Sequence, residues 1–305
     1  MAFGHGKLIL LGEHAVVYGR PALAAALPQG AEAVAEPADR ARLEIAPWGV
    51  ALDASEIQAD ERAEQLRQAF CALLDGYDPL PAFRVRVELS LPGGAGLGGS
   101  AALSVAIVRA LDAALGRQRD APAVAEAALA AERVFHGNPS GIDSALAASG
   151  GVALYRKGSP LESVRLGRKL TLVVGHSGEQ GSTRETVASV ARQHARNPAK
   201  LDQIFDGIEA LVTNGRSALQ TGELWRLGQL MILNQKLLSS MMLSTSRLSE
   251  MCQAAEQAGA LGAKLTGGGG GGCMIALCEH AAAAERVQHA LEAIGREAFI
   301  AELGA

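Results

Sequence analysis

The stretch Leu91-Pro-Gly-Gly-Ala-Gly-Leu-Gly-Gly-Ser100 lies between a segment of strand period and a segment of helical composition. Before it, Arg84 to Leu91 alternates cleanly. Val85, Val87, Leu89 and Leu91 share one face, and Arg84, Arg86, Glu88 and Ser90 share the other, as in a half-buried strand. After it, Ser100 to Leu115 is rich in helix formers, apolar almost all round and stopped by Gly116, which predicts a buried helix. A helix start carries orphan N–H donors and a positive dipole end, so it attracts phosphate. Residues 93–99 hold five glycines, which let the backbone approach phosphate oxygens and adopt positive φ. Ser100 adds a hydroxyl for a phosphate or a magnesium ion. A ligand-free strand-to-helix turn is the plain alternative, and so many glycines weigh against it.

The kind of nucleotide loop is constrained by what surrounds it. No Gly-Lys-Ser or Gly-Lys-Thr occurs, so the Walker pattern is absent. Gly94, Gly96 and Gly99 satisfy GxGxxG after a strand and before a helix. A dinucleotide site also needs a second parallel strand ending in an acid. Here the helix is followed by Gly116-Arg-Gln-Arg-Asp120 and a second helix, Ala121 to Phe135, with Pro122 in its first turn and Gly137 after its end. A nicotinamide-dependent oxidoreductase therefore stays open as the weaker reading.

Working outward, Lys7 to Leu11 reads as a strand closed by Gly12, and Asp60 to Leu74 as a helix ending near Gly76 and Asp78-Pro79. The turn Asn138-Pro139-Ser140-Gly141 leads into a short helix from near Asp143 to Gly150-Gly151. Around Leu166 to Gly181 the pattern changes, which places a domain boundary there: residues 1–175, then 176–305. The second half reads as helices at Thr183–Arg196, Ala199–Leu219, Leu224–Ser240 and Arg247–Ala258, strands at Ala263–Thr266 and Cys273–Leu277, a helix at Ala281–Ile294 and a strand at Ala298–Leu303. The two short strands flank Gly267 to Gly272, an unbroken run of six. Linkers join domains rather than strands of one sheet, so a hairpin-like unit is expected. The fold class is α+β with two domains.

Composition excludes several classes. The 305 residues are 49% hydrophobic and 20% charged, with mean hydropathy +0.14, enough apolar side chain for a large core and against general disorder. A formal net charge of −4 without a basic run argues against nucleic acid. The most apolar stretch, Leu97 to Leu115, is interrupted by Arg109 and Asp112, so no membrane span is expected. The N-terminus lacks the regions of a signal peptide. Cys71, Cys252, Cys273 and Cys278 form no CxxC pair and read as buried hydrophobes of a reducing, cytoplasmic compartment.

Three side chains outside the loop invite chemistry. Glu132, late on a helix of small residues, has a bland reading as a surface carboxylate; Asp143 has one as a helix cap. Beside a phosphate loop both gain a role. Magnesium takes one or two protein oxygens, which Ser100 and Glu132 supply. A phosphoryl acceptor needs a carboxylate to orient it and take its proton, and Asp143 at a helix start is suited to that. Lys7 opens an apolar strand; aimed inward, it stabilises charge on the transferred group and pairs with Asp143. His14, in Gly12-Glu13-His14, reads as a positioning residue.

Lys7-Leu-Ile-Leu-Leu-Gly-Glu-His-Ala-Val-Val-Tyr-Gly19, Pro92-Gly-Gly-Ala-Gly-Leu-Gly-Gly-Ser-Ala-Ala102 and Lys264-Leu-Thr-Gly-Gly-Gly-Gly-Gly-Gly-Cys273 resemble the three motifs of GHMP kinases. Within that superfamily, Glu132-Arg-Val-Phe-His-Gly-Asn-Pro-Ser-Gly-Ile-Asp143 resembles the signature of the mevalonate kinases. The resemblance implies a ribosomal S5 domain 2-like N-terminal half, a ferredoxin-like C-terminal half and an active site in the cleft between them. It implies phosphorylation of the 5-hydroxyl of (R)-mevalonate by ATP with Mg2+. Sister kinases of phosphomevalonate, homoserine or a sugar are the near alternatives. By position, Lys7 and Asp143 form the catalytic pair and Ser100 and Glu132 hold magnesium. Lys7 and Gly94, Ala95, Gly96, Leu97, Gly98, Gly99 and Ser100 bind the nucleotide. Glu13, His14, Asp143 and Thr183 lie at the acceptor. Two departures stand out: Gly93 replaces a common second proline and Gly99 a common serine. Nothing in the sequence chooses between a monomer and a homodimer.

Overall fold

The computed structural model describes residues 2–78, 82–137 and 139–304. Pro79 and Asn138, which the sequence places in turns, lie outside them. The chain folds as two compact units interleaved in sequence: one of residues 1–7, 29–91 and 98–150, the other of residues 8–28, 92–97 and 151–305. Two strands run from one unit into the other, β1 (Ala2–Leu11) and β2 (Ala22–Pro37).

In the first unit, the end of β2 pairs antiparallel with β5 (Phe83–Leu89). Beyond it, β3 (Arg42–Ile45) lies parallel to β5 and antiparallel to β4 (Val50–Asp53). Val85 and Val87 are buried as the alternation predicts, and Leu43 and Ile45 of β3 join them. Four helices complete the unit: α1 (Glu61–Leu74), α2 (Gly99–Ala114), α3 (Ala121–His136) and α4 (Ile142–Ser149). Helix α2 is the buried one, closed from solvent along nearly its whole length, and α3 and α4 both pack on it. Asp60 caps α1 and Asp120 caps α3, each accepting from a backbone N–H three residues on. In contrast, α2 starts at Gly98, with φ 72° and no side-chain cap, so its first N–H groups stay available.

In the second unit, β6 (Val152–Tyr155) pairs with the start of β2, and β7 (Glu162–Ser163) pairs with β6. Strand β8 (Leu170–His176) follows, then helices α5 (Thr183–Arg196), α6 (Pro198–Thr221), α7 (Leu224–Ser240) and α8 (Ser246–Gln257). Strands β9 (Gly262–Thr266) and β10 (Cys273–Cys278), helix α9 (Ala281–Ala293) and strand β11 (Glu297–Leu303) end the chain. The sheet order is β11-β8-β10-β9, all antiparallel. That is the ferredoxin-like order, with the first crossover enlarged to four helices. The hairpin expected around the glycine run is present: Thr266 opposes Cys273, and all eleven residues of β9 and β10 are buried. No helix among the described residues is long and apolar enough to cross a membrane.

Candidate active site

Lys7 lies within β1, not at its start, because the strand begins at Ala2. Gly98 makes room for it: a Cβ there would stand 3.1 Å from the Lys7 Cβ, on a φ of +72°. Asp143 lies in the first turn of α4, behind Gly141 (φ 81°), which is the N-cap. The expected capping role for Asp143 is thus taken by a glycine, and the carboxylate is left at the positive end of the helix. Lys7 Nζ reaches Asp143 Oδ1 at 3.1 Å.

Glu132 is buried on α3, with its side chain 3% exposed, so it is not a surface carboxylate. Its Oε1 has no hydrogen-bond partner. Burial pushes its carboxyl up to about 7, Asp143 adds to the rise, and the Ser100 hydroxyl and Lys7 oppose it. Lys7, Ser100 and Asp143, the other side-chain candidates of this unit, therefore all act on the Glu132 carboxylate. Two further residues join them. His136, one turn beyond Glu132, places Nε2 3.7 Å from Glu132 Oε2 and 3.3 Å from Ser100 Oγ; the i,i+4 spacing was its only sequence signal. Arg109 donates to the carbonyls of Phe3 and Ala148, each at 2.5 Å. It ties the strand carrying Lys7 to the helix carrying Asp143, and in the sequence it read only as a break in an apolar stretch.

The remaining candidates lie in the second unit. Gly94 and Gly96 have φ near +70°, while the Ala95 and Leu97 side chains are buried, so this part of the loop offers backbone rather than side chains. Gly96 and Ala95 carbonyls run alongside Gly267 and Gly272 of the six-glycine run. Gly268 makes room for Thr183, whose Oγ1 would lie 2.8 Å from a Cβ there. The Gly268 carbonyl accepts from His14 Nε2 at 2.8 Å. Burial holds the His14 ring below its usual pKa, in the neutral form. With the hydrogen on Nε2, Nδ1 is a buried acceptor without a partner. Glu13 faces the interior: Lys264 Nζ meets Oε1 and Asn234 Nδ2 donates to Oε2 at 3.0 Å.

The family model described as GHMP kinases N terminal domain matches residues 63–151, and that described as GHMP kinases C terminal matches 216–297. A mevalonate kinase of Thermococcus sibiricus is 36% identical over 296 residues, covering 91% of this chain and 88% of that protein. One of Methanothermobacter thermautotrophicus is 36% identical over 277 residues, covering 89% and 88%. The chain belongs to the mevalonate kinase family of GHMP kinases. Among solved structures, the L. major mevalonate kinase in complex with R-mevalonate aligns with TM-score 0.87 and 29% identity over 99% of this chain and 94% of that one. The Methanococcus jannaschii mevalonate kinase, at 24% identity, aligns with TM-score 0.84 over 99% and 98% and shares the fold. Membership in a kinase family sets aside the nicotinamide reading of Gly94, Gly96 and Gly99. The fold gives the physical reason: α2 is followed by α3, where a dinucleotide fold requires a strand.

Proposed function

We propose that this chain transfers the γ-phosphoryl group of ATP to the 5-hydroxyl of (R)-mevalonate, giving 5-phosphomevalonate for isoprenoid synthesis in the cytoplasm. The observation that carries the chemistry is the Lys7–Asp143 ion pair beside the buried Glu132. Asp143 accepts the proton of the acceptor hydroxyl as its oxygen bonds to the γ-phosphorus and the bond from that phosphorus to the β-phosphate oxygen breaks, releasing ADP. Lys7 holds Asp143 in place and stabilises negative charge on the phosphoryl oxygens in flight. The uncapped N–H groups of α2 and the backbone of Gly94 to Ser100 bind the phosphates. Thr183 and His14 are the residues we assign to the acceptor.

The residues fit a divalent cation. Glu132 Oε1 is buried and unpartnered, and the Ser100 hydroxyl lies nearby. Among the described residues no cluster of three or more His, Cys, Asp or Glu gathers. Mg2+ characteristically takes one or two protein oxygens and completes its shell from substrate phosphates and water. Glu132 and Ser100 would hold it, and it would neutralise charge on the triphosphate.

The test is incubation with ATP, Mg2+ and (R)-mevalonate, locating new phosphate by phosphorus–proton NMR. Phosphomevalonate, homoserine and galactose run in parallel. Transfer to the mevalonate 5-oxygen is expected; faster transfer to another acceptor overturns the assignment.

A further inference from the structure

The turn after β1 contains a strained residue. His14 has φ 60° and ψ −45°, and among the described residues only Met242 shares positive φ without being glycine. A residue with a Cβ keeps such a backbone only where its surroundings over-determine it. Those surroundings are unusual. Glu13, immediately before, is joined to Lys264 of β9, and neither side chain has any exposure. Asn234 of α7, also fully buried, takes the second carboxylate oxygen at 3.0 Å. Lys264 Nζ donates in addition to the Leu265 carbonyl at 2.6 Å. Four residues beyond Lys264, Gly268 accepts from His14 Nε2. One hairpin therefore grips two successive residues of the turn, by charge at Glu13 and by a carbonyl at His14.

Replacing a buried ion pair by apolar side chains of similar volume is often neutral for stability. What the charges add here is geometry, since a carboxylate held from two sides admits one placement of the backbone that carries it. We propose that Lys264 is a positioning residue for the kinase: through Glu13 it fixes the backbone of His14 and so aims the imidazole and its unpartnered Nδ1. The inference deepens the acceptor role given above to His14 and rests on it for its kinetic readout.

Three proteins test it: the wild type, Lys264→Met, and Lys264→Met combined with Glu13→Gln. The single variant leaves a buried carboxylate without its cation and loses much thermal stability. The double variant regains most of the melting temperature, yet its KM for mevalonate rises at least tenfold while KM for ATP changes less than twofold. Its His14 ring, read by nitrogen–proton correlation NMR without substrate, loses the single Nε2–H tautomer pattern. If the double variant does not fold, Glu13→Gln alone, which keeps side-chain shape, shows the same KM selectivity and ring change. Wild-type mevalonate KM and ring spectrum in a folded variant overturn the proposal and leave the pair a packing element. The ring spectrum needs no acceptor, so its outcome stands apart from the reading of the substrate: a wild type that ignores mevalonate sinks that reading alone, and KM is then measured for the acceptor it does use.

Discussion

Lys7 Nζ stands 3.1 Å from Asp143 Oδ1, joining the first strand to the first turn of a helix far along the chain. The contact gives Asp143 a cation on one side and leaves its carboxylate, a third exposed, open to an incoming hydroxyl on the other. Asp143→Asn removes the proton acceptor but keeps size and polarity. It should lower kcat by about 10²–10⁴, with ATP affinity by calorimetry nearly unchanged. An unaltered kcat would remove Asp143 as the base.

For Lys7 the two readouts separate in a different way. A group that stabilises charge developing on a transferred phosphoryl acts more on the transition state than on bound ATP. Lys7→Met should therefore cost roughly 10²-fold or more in kcat and only a few-fold in ATP affinity. A loss confined to ATP binding would make the lysine a nucleotide anchor instead.

The sequence made these side chains legible because each stands against its background. Lys7 interrupts an apolar strand, and Glu132 lies on a helix of small residues. Local chemistry also marked helix boundaries, as with Pro122 in the first turn of α3 and Gly137 at its end. It failed where pattern and structure part. Strand β2 is largely alanine, glycine and glutamate, which favour other states, and it forms because neighbours pair with it on both sides. Strand β8 lies where the pattern change suggested a boundary; buried on both faces, it shows no alternation to read. Glu13 illustrates the same limit at the site. The motif resemblance puts it at the acceptor, and only β9 and α7 reveal the buried lysine and asparagine that claim it.

Adjacent glycines of the loop should respond oppositely to substitution. Gly98 combines φ 72° with a close approach to the Lys7 Cβ. Gly98→Ala should cost about 1–2 kcal/mol from backbone strain alone and lower kcat by displacing Lys7. Gly99 opens α2 with no atom within 4 Å of a Cβ and no positive φ. Gly99→Ser should be neutral or stabilise by roughly 0.5 kcal/mol through the lower cost of ordering a non-glycine in a helix. Thermal melts and kcat on both variants decide it; equal losses would contradict the argument from φ.

Glu132 should give the nucleotide-free protein a pH-dependent stability of a definite sign. Its carboxyl titrates near the ordinary 4.5 when unfolded and at about 7 when folded. Below pH 4.5 both states hold the proton and the residue contributes no slope. Between 4.5 and 7 the unfolded chain has lost a proton that the folded one keeps, so unfolding releases it and stability falls as pH rises. Above 7 the loss levels off, at about 3 kcal/mol in total. Glu132→Gln abolishes the difference between states, so its melting temperature in EDTA should fall less from pH 4.5 to 8 and exceed that of the wild type at the alkaline end. Mg2+ with ATP favours the ionised carboxylate and should shrink the wild-type slope, while the variant, lacking that charge, should need more magnesium for half-maximal turnover. Parallel melting curves for the two proteins across this range would refute the raised carboxyl, and an unchanged magnesium titration would place it outside the metal's reach.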